Sequence, residues 1–291
     1  AQQAELKAAV QGTPAAVGID MANWNWKGVR LFAEQRFGRR LCRSSCHNYL
    51  HRLGFVPKRP KKRLVKADPV KREAFVADYT ALRVESQVNG AKIFFVDEAH
   101  FRADADLRTK WVLRGEPALV DSTSPRLGEK ATYYSGVCLE TGEVEFMTVS
   151  ETCTAATSVD FLQQLRGNHS EPLVVIWDNS PAHRGPEMRE YLTTPDLKLR
   201  LVALPSYSPD FNADEMIWGW ARKEVTANVC FGTAAKAREK LDPFFAGLAE
   251  RKAEVQQRCR TTLQARADER ISTANELFAQ LNHVDFTLVS V

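Results

Sequence analysis

Apolar residues before position 56 recur every three or four positions, which is the period of an amphipathic helix. Val29, Phe32 and Phe37 share one face of the first such helix. Gly38 follows directly and is a typical residue for ending a helix. The pattern therefore predicts a helical N-terminal segment rather than a strand or a loop.

A second helix of this segment begins at Ser44 or Ser45, either of which can cap it, and ends at Gly54. One face is apolar (Cys46, Leu50, Leu53) and the opposite face is polar or basic (His47, Asn48, His51, Arg52). Two short helices around a turn that contains glycine are typical of a helix-turn-helix that binds DNA. Any other small helical domain is the alternative interpretation.

A basic run follows this segment: Lys58, Arg59, Lys61, Lys62 and Arg63 surround a proline. Like charges repel one another and proline interrupts regular structure, so the run is predicted to be a linker. Behind a helix-turn-helix, such a linker is also expected to contact DNA phosphates.

The helix after this linker has clear start signals, because Asp68 is a favourable N-cap and Pro69 suits the first helical position. Its apolar stripe is predicted to consist of Val70, Phe75, Val76, Tyr79 and Leu82. We expect this helix to connect the N-terminal segment to a second domain.

From residue 91 onward the pattern is that of strands alternating with helices. Apolar runs at 92–96, 173–177 and 199–204 predict strands, the second buried on both faces. Residues 131–139 and 144–149 predict a hairpin around Glu140-Thr141-Gly142-Glu143, and Trp111–Leu113 is a further candidate strand. Helical patterns occupy 158–165, 186–192, 212–225 and 233–280. The fold class is therefore α/β, a mixed sheet flanked by helices and preceded by a small all-α domain.

Charge is distributed unevenly along the chain. Residues 1–85 contain 17 Lys and Arg against 7 Asp and Glu, a net charge of +10, whereas the remainder contains 23 against 29, a net charge of −6. The basic end suits a polyanionic partner. Nucleic-acid binding alone does not explain the acidic remainder, which indicates a domain whose function requires a concentration of carboxylates.

Composition also excludes some classes of protein and some kinds of site. No run of about 18 apolar residues exists, so we expect no membrane span. The six scattered cysteines form no CxxC pair and favour a reducing, cytoplasmic setting. A zinc site of Cys42 and Cys46 with His47 or His51 is a weaker alternative, because the spacing does not match the usual paired ligands. The chain lacks an initiator Met, and we expect a fragment or a processed form.

Three carboxylates stand at the ends of predicted elements. Asp97 and Asp178 directly follow the apolar runs at 92–96 and 173–177, and Glu215 lies in the first turn of the helix at 212–225. Residues just past strand ends line a common crevice. Neighbouring carboxylates repel one another, and Mg²⁺ or Mn²⁺ offsets that repulsion. Two such ions promote cleavage or joining of a phosphodiester.

Each acid also has a purely structural interpretation. Asp178 could close an Asx-type turn, Glu215 could form a capping box with Asn212, and Asp97 could accept backbone hydrogen bonds in a loop. The three positions together, behind a basic N-terminal region, favour the metal site.

Three sequence blocks carry a resemblance to a known family. FFVDEAHF (94–101), VIWDNSPAHR (175–184) and LPSYSPDFNADEMIW (204–218) resemble the catalytic blocks of bacterial insertion-sequence transposases, which belong to the mariner-related superfamily of DDE enzymes. WNWKGVRLFAEQRFG (24–38) and CRSSCHNYLHRLGF (42–55) are similar to that family's winged helix-turn-helix region. The chain departs from the family at Ser206 and Ala213, where proline is usual.

The resemblance implies a ribonuclease-H-like fold for the sheet domain. It divides the chain into a helix-turn-helix region with its basic linker (1–65), a connecting helix (66–90), a DDE catalytic domain (91–228) and a C-terminal helical extension (229–291).

The resemblance also implies roles for individual residues. Asp97, Asp178 and Glu215 would be the catalytic acids and the ligands of Mg²⁺ or Mn²⁺. Four neighbours of these acids in the motifs would shape or orient the site: Glu98, Asn179, His183 and Asn212. Tyr207 and Trp218 are expected to pack. DNA contacts are expected from His47, Asn48, His51, Arg52, Lys58, Arg59, Lys61, Lys62 and Arg63.

The function that follows is that of a DNA transposase, which cleaves phosphodiesters at transposon ends and transfers the strand into target DNA. Its expected partners are double-stranded DNA, as terminal inverted repeats and as target, and a second copy of the chain on that DNA. We expect it at the nucleoid of a bacterial cytoplasm. Two alternatives remain open: a ribonuclease-H-like endonuclease without strand transfer, and a catalytically silent DNA-binding repressor derived from a transposase.

Overall fold

The computed structural model describes residues 1–58, 66–122, 128–150, 152–180 and 183–282, with side chains as far as residue 276. The chain divides into two compact units, Ala1–Arg63 and Leu64–Val291. In the described ranges, no helix is long and apolar enough to cross a membrane.

The first unit contains three α-helices in its described part: α1 (Gln2–Gln11), α2 (Trp26–Phe37) and α3 (Arg43–Arg52). Asn25 caps α2, because its side-chain oxygen accepts the backbone N–H groups of Lys27 and Gly28. Gly38 ends α2 in a left-handed conformation, as predicted. Residues 1–58 contain no strand.

Helix α3 differs from the prediction at its start. Cys42, and neither Ser44 nor Ser45, is the N-cap: its sulfur accepts the N–H of Ser45, and both serines lie within the first turn. The predicted faces are confirmed. Cys46 is fully buried against Val29 and Phe32, and Leu50 and Leu53 pack partly against the same cluster. The opposite face is exposed, and consists of His47, Asn48, His51 and Arg52.

The second unit begins with α4 (Pro69–Asn89), which is capped by Asp68 through the N–H groups of Val70 and Lys71, as predicted. Four of the five residues of the predicted stripe are buried: Phe75, Val76, Tyr79 and Leu82. The prediction that Val70 belongs to the buried stripe is wrong, since this residue is 78% exposed. It lies in the first turn of α4, before the helix reaches the core.

The described residues form a sheet of five strands: β1 (Lys92–Arg102), β2 (Lys130–Cys138), β3 (Val144–Val149), β4 (Leu173–Trp177) and β5 (Leu199–Ala203). Their order is β3-β2-β1-β4-β5, with antiparallel pairs on the β3 side and parallel pairs on the β5 side. The mixed sheet is therefore confirmed. Gly142, in the left-handed region, forms the predicted turn between β2 and β3.

Two strand predictions need correction. β1 does not end at Val96 but continues to Arg102, because β2 pairs with it along that whole length. Trp111–Leu113 is not a strand: no strand pairs with it, and all three residues are exposed.

In the described part of this unit, six further α-helices pack around the sheet: α5 (Ala155–Asn168), α6 (Pro186–Leu192), α7 (Asp214–Ala221), α8 (Ala234–Gly247), α9 (Lys252–Arg258) and α10 (Thr262–Asn282). The single helix predicted at 212–225 is divided into α7 and a π-helical turn at Arg222–Thr226, and a separate 3-10 turn at Pro209–Phe211 precedes them.

Alternate side chains of β1 enter two apolar clusters. Phe95 and Phe101 pack on the face covered by α4, α7 and the C-terminal helices, and Phe94 and Val96 pack on the face covered by α5. The ring of Phe245 on α8 lies 4.9 Å from that of Tyr133 and 5.7 Å from that of Trp218. The helices after residue 233 thus supply part of the core.

We expect Phe245→Ala to lower the free energy of unfolding of the second unit by about 3–5 kcal/mol, because it leaves a cavity among aromatic rings. Urea unfolding followed by circular dichroism measures this change. Phe244→Ala is the matched control, since the neighbouring ring is only partly buried. A loss at Phe245 no larger than that at Phe244 would contradict this picture of the core.

Candidate active site

A cleft opens at the sheet edge where β4 ends and β1 continues. The parallel pairing of β1 with β4 reaches Phe95 opposite Ile176, and the chain leaves the sheet after Trp177. Asp97 and Asp178, each two residues farther along, therefore face the same opening. A cavity of about 440 Å³ is present there, lined by Asp97, Asp178, Glu215, Asn179 and Asn212 together with the loop at 204–209. The three acids, distant in sequence, lie in one cleft.

Asp97 lies within β1 and not beyond its end, on the face of the sheet that α7 covers. The indole N–H of Trp218 on α7 donates a hydrogen bond of 3.2 Å to Asp97 Oδ2. Burial raises the pKa of Asp97 to about 8, and the charges of Glu215, Glu98 and Asp178 add to that rise. Trp218, expected to pack, is buried and also orients this acid.

Asp178 directly follows β4 and is held through a single oxygen. Its Oδ1 accepts the backbone N–H of Ser180 at 2.9 Å and lies 3.1 Å from Nε2 of His183. The hydrogen bond from His183 lowers the pKa of Asp178 below its usual value. The Asx-type turn is therefore present, yet it leaves Oδ2 without a described hydrogen bond. The structural and the functional interpretations of this residue are compatible.

His183 and Glu98 lie behind Asp178. The imidazole of His183 is buried and stacks on Trp177 with 3.9 Å between the ring centroids. Its Nε2 lies 3.6 Å from Oε2 of Glu98, which also accepts the indole N–H of Trp177 at 3.3 Å. Burial opposes the protonation of His183, but its contacts with Asp178 and Glu98 outweigh that effect and raise its pKa to about 9. These groups fix the orientation of Asp178.

Glu215 enters the cleft from the first turn of α7. Asn212 anchors the start of that helix: its Nδ2 donates to the carbonyl of Val96 at 3.2 Å, and its Oδ1 accepts the N–H of Asp214 at 3.2 Å. Asn212 thus forms its hydrogen bond with the residue that precedes Asp97. Glu215 accepts no hydrogen bond from any described residue, so the capping box with Asn212 is not formed. Burial raises the pKa of Glu215, while the charge of Arg222 lowers it.

Sequence reasoning missed Asp214. This acid is fully buried, and both of its oxygens accept the hydroxyl of Ser135, at 2.6 and 2.7 Å. Burial, and then the charge of Asp97, raise its pKa well above the usual range. Ser135 is the register partner of Asp97 on β2, so the pairing of two strands brings Asp214 behind Asp97. No local pattern in the sequence contains that information.

Tyr207 was expected to pack and Asn179 to support the site, and both line the cavity. Tyr207 lines the cavity with half of its side chain exposed and a φ of 60°, so the expectation that it packs is wrong. Asn179 also lines the cavity, and its carbonyl accepts a hydrogen bond from Arg184.

The predicted DNA-binding residues are described only in part. Lys58 is exposed, as are the four polar residues of α3, whereas Arg59, Lys61, Lys62 and Arg63 lie outside the described residues. The alternative zinc ligands are not brought together, because Cys46 is buried while His47 and His51 are exposed on the other face. Within the described ranges, no group of three His, Cys, Asp or Glu forms a ready-made metal cage. The acids line an open cleft.

The chain matches two known families along its length. The family described as winged helix-turn helix matches residues 20–79. The family described as DDE superfamily endonuclease matches residues 92–237, half of the chain and all of the cleft. The chain belongs to the DDE endonuclease superfamily. The family resemblance noted from the sequence blocks is thereby confirmed.

A curated relative of this DDE superfamily member is the "Insertion element IS630 uncharacterized 39 kDa protein" of Shigella sonnei. It is 25% identical over 226 residues, which cover 77% of this chain and 64% of that protein. The chain therefore spans less than two thirds of the relative's length.

Two solved structures share the fold of this DDE superfamily member. The mariner Mos1 paired end complex with Mg has a TM-score of 0.64 at 18% identity, covering 93% of this chain and 78% of that one. A pre-cleavage Mos1 transpososome has a TM-score of 0.62 at 18% identity, covering 91% and 78%. The ribonuclease-H-like sheet flanked by helices is confirmed.

We expect Asp97→Asn to stabilise this DDE superfamily member against unfolding by about 4 kcal/mol more at about pH 9 than at about pH 5, when divalent cations are chelated. The folded-state pKa of Asp97 is raised to about 8, so the folded wild type loses stability as rising pH ionises the acid. Asparagine carries no charge to bury.

Urea unfolding of both proteins at the two pH values measures the difference. Asp78→Asn, on the exposed face of α4, is the control. An identical effect of Asp97→Asn at both pH values would contradict the crowding of charge in the cleft.

Proposed function

We propose that this chain is a DNA transposase that cleaves phosphodiester bonds at the ends of a mobile element and joins the freed 3′ ends to target DNA. The observation that carries the proposal is the convergence of Asp97, Asp178 and Glu215 on one cavity. The names of the relatives support it, since one belongs to an insertion element and others are transposase complexes with transposon ends.

The cavity suits Mg²⁺ or Mn²⁺. Its charged ligands are carboxylate oxygens, the described lining includes no Cys or His, and the cavity is wide enough to leave positions for water and phosphate. Burial and the neighbouring negative charges raise the pKa of Asp97, and a cation would offset those charges. When bound to Asp97, Asp178 and Glu215, two such ions would stabilise the attacking and leaving oxygens of an in-line displacement.

The chain's own residues hold the three acids in place. Trp218 contacts Oδ2 of Asp97. His183 and Ser180 contact Oδ1 of Asp178. These contacts use one oxygen of each acid. Asn212 holds the start of the helix that carries Glu215. Preorganised ligands need not be ordered again in each catalytic cycle, which favours the reaction.

DNA recognition is assigned to the first unit. The exposed polar face of α3 would enter a groove, and the basic run after it would contact phosphates. We infer that the DNA consists of terminal inverted repeats and of target DNA. Because two ends must be processed together, two copies of the chain would act on it, at the nucleoid of a bacterium.

We expect Asp97→Asn, Asp178→Asn and Glu215→Gln each to reduce Mg²⁺-dependent cleavage of an element end by about 1,000-fold or more, because each removes a ligand worth several kcal/mol in the transition state. DNA affinity should change little. Gel analysis of end-labelled DNA measures cleavage, and Glu224→Gln, an exposed acid on the following π-helical turn, is the matched control.

Full cleavage by any one of these three variants would refute the assignment of that acid. The same assay, with a precut end and a target plasmid, separates the alternatives. Cleavage without joining would identify an endonuclease that lacks strand transfer. DNA binding with no metal-dependent cleavage would identify a silent repressor.

We expect Arg52→Gln to weaken binding to the inverted repeat about tenfold, because Arg52 lies on the exposed face of α3, where its guanidinium, 5.7 Å from the centroid of the Tyr49 ring, can reach a base or a phosphate. Fluorescence anisotropy at several salt concentrations measures the affinity. Arg36→Gln, on α2, is the control, since Arg36 is paired with Glu5. Equal effects of the two substitutions would count against α3 as the recognition helix.

A further inference from the structure

A short turn before α7 is contacted by two helices, α4 and α10. Asp210 lies in the 3-10 turn Pro209–Phe211 and is paired with Arg72 of α4. Nη1 of Arg72 donates to Oδ1 at 3.0 Å, and Nη2 donates to Oδ2 at 2.7 Å. The guanidinium also lies over the ring of Phe211, 3.9 Å from its centroid. A bidentate pair with a stacked guanidinium fixes both position and angle.

The C-terminal helix α10 holds the same turn from another direction. The hydroxyl of Thr262 donates to Oδ2 of Asp210 at 3.2 Å and reaches its backbone carbonyl at 3.3 Å. Phe211 is buried, and its ring is nearly parallel to that of Phe75 on α4, with 6.3 Å between centroids. Two helices from opposite ends of this unit's sequence therefore immobilise three residues.

The turn connects directly to the cleft. Ser208 and Pro209 line the cavity, and Asn212 follows Phe211. Asn212 bonds to the carbonyl of Val96, and Glu215 is three residues farther on. A displacement of Asp210 would therefore move the start of α7 relative to Asp97.

The ion pairs between α4 and α10 are made by other residues and do not include Asp210. Glu73 pairs with Arg266 and Arg270 at the surface, where solvent screens such contacts and their contribution to stability is small. The side chain of Arg72 is only 19% exposed and contacts the turn next to the cleft.

We propose that Arg72 is a positioning residue for Glu215: through Asp210 and Phe211 it sets the distance between Glu215 and the two aspartates, and with it the affinity of the cleft for its cation. The proposal rests on the function proposed above. It assigns to α4, the helix after the DNA-binding region and its linker, a part in assembling the catalytic site.

The test is Arg72→Gln in the full chain, with Arg83→Gln as the matched control. Arg83 is on the same helix, is 13% exposed and pairs with Asp268 of α10, but it does not contact the turn. Isothermal titration gives the dissociation constant for Mn²⁺, a DNA cleavage assay gives kcat and KM, and thermal unfolding gives Tm.

For Arg72→Gln we expect the Mn²⁺ dissociation constant to rise about tenfold and kcat to fall about tenfold, with KM for DNA nearly unchanged, as for loss of a group that orients a metal ligand. Arg83→Gln should lower Tm while leaving the Mn²⁺ affinity and kcat at wild-type values. A purely structural role of Arg72 would move Tm alone.

Two further variants keep the proposal falsifiable. Arg72→Lys should restore little, because an ammonium group cannot form the two parallel hydrogen bonds. Arg72→Gln combined with Asp210→Asn should be no worse than either substitution alone, since both remove one contact. Additive losses would overturn the proposal.

A readout without metal or DNA separates the failure of this proposal from the failure of the proposed function. Hydrogen exchange of the amides at 212–221 should be faster in Arg72→Gln than in Arg83→Gln. Unchanged exchange there, or unchanged Mn²⁺ affinity, would overturn the positioning role even if the wild type cleaves DNA. A wild type that neither binds Mn²⁺ nor cleaves would overturn the proposed function and, with it, this inference.

Discussion

Mutual repulsion among carboxylates at one edge of the sheet is the constraint around which the second unit is organised. Asp97 is largely buried, and that burial together with the charges of Glu215, Glu98 and Asp178 raises its pKa. Such an arrangement persists only where the surrounding structure holds each acid separately. Trp218, His183 and Asn212 do so, each from a different element.

The topology creates the place for these acids. Because β4 is short and β1 is long, no described strand pairs with the parallel side of β1 beyond Phe95, while β2 still pairs with the other side. Asp97 is thus fixed by antiparallel hydrogen bonds and remains open toward Asp178. The aromatic cluster around Phe245 packs α7 onto the same strand, so that Glu215 enters from a rigid helix.

The local features of the fold were predictable, and the nonlocal ones were not. Continuous apolar runs such as Leu173–Trp177 and the cap at Asp68 depend on neighbouring residues, and the structure has them where they were predicted. The extension of β1 to Arg102 depends on β2, and the burial of Asp214 depends on Ser135, 79 positions away. The three acids were identifiable because their blocks resemble a family. The contact of Arg72 with Asp210 spans 138 positions and has no local signal.

Helix α4 lies partly within the winged helix-turn-helix family match and wholly within the second unit. The winged helix-turn-helix family match runs through residue 79, well into this helix, yet by its contacts the helix is part of the second unit. A boundary drawn at the end of that match would strip the cover from Phe211 and leave Phe95 without the ring of Tyr79. Any exchange of the first unit between such proteins, in evolution or by engineering, therefore has to break the chain ahead of Asp68 and keep the whole helix with the second unit.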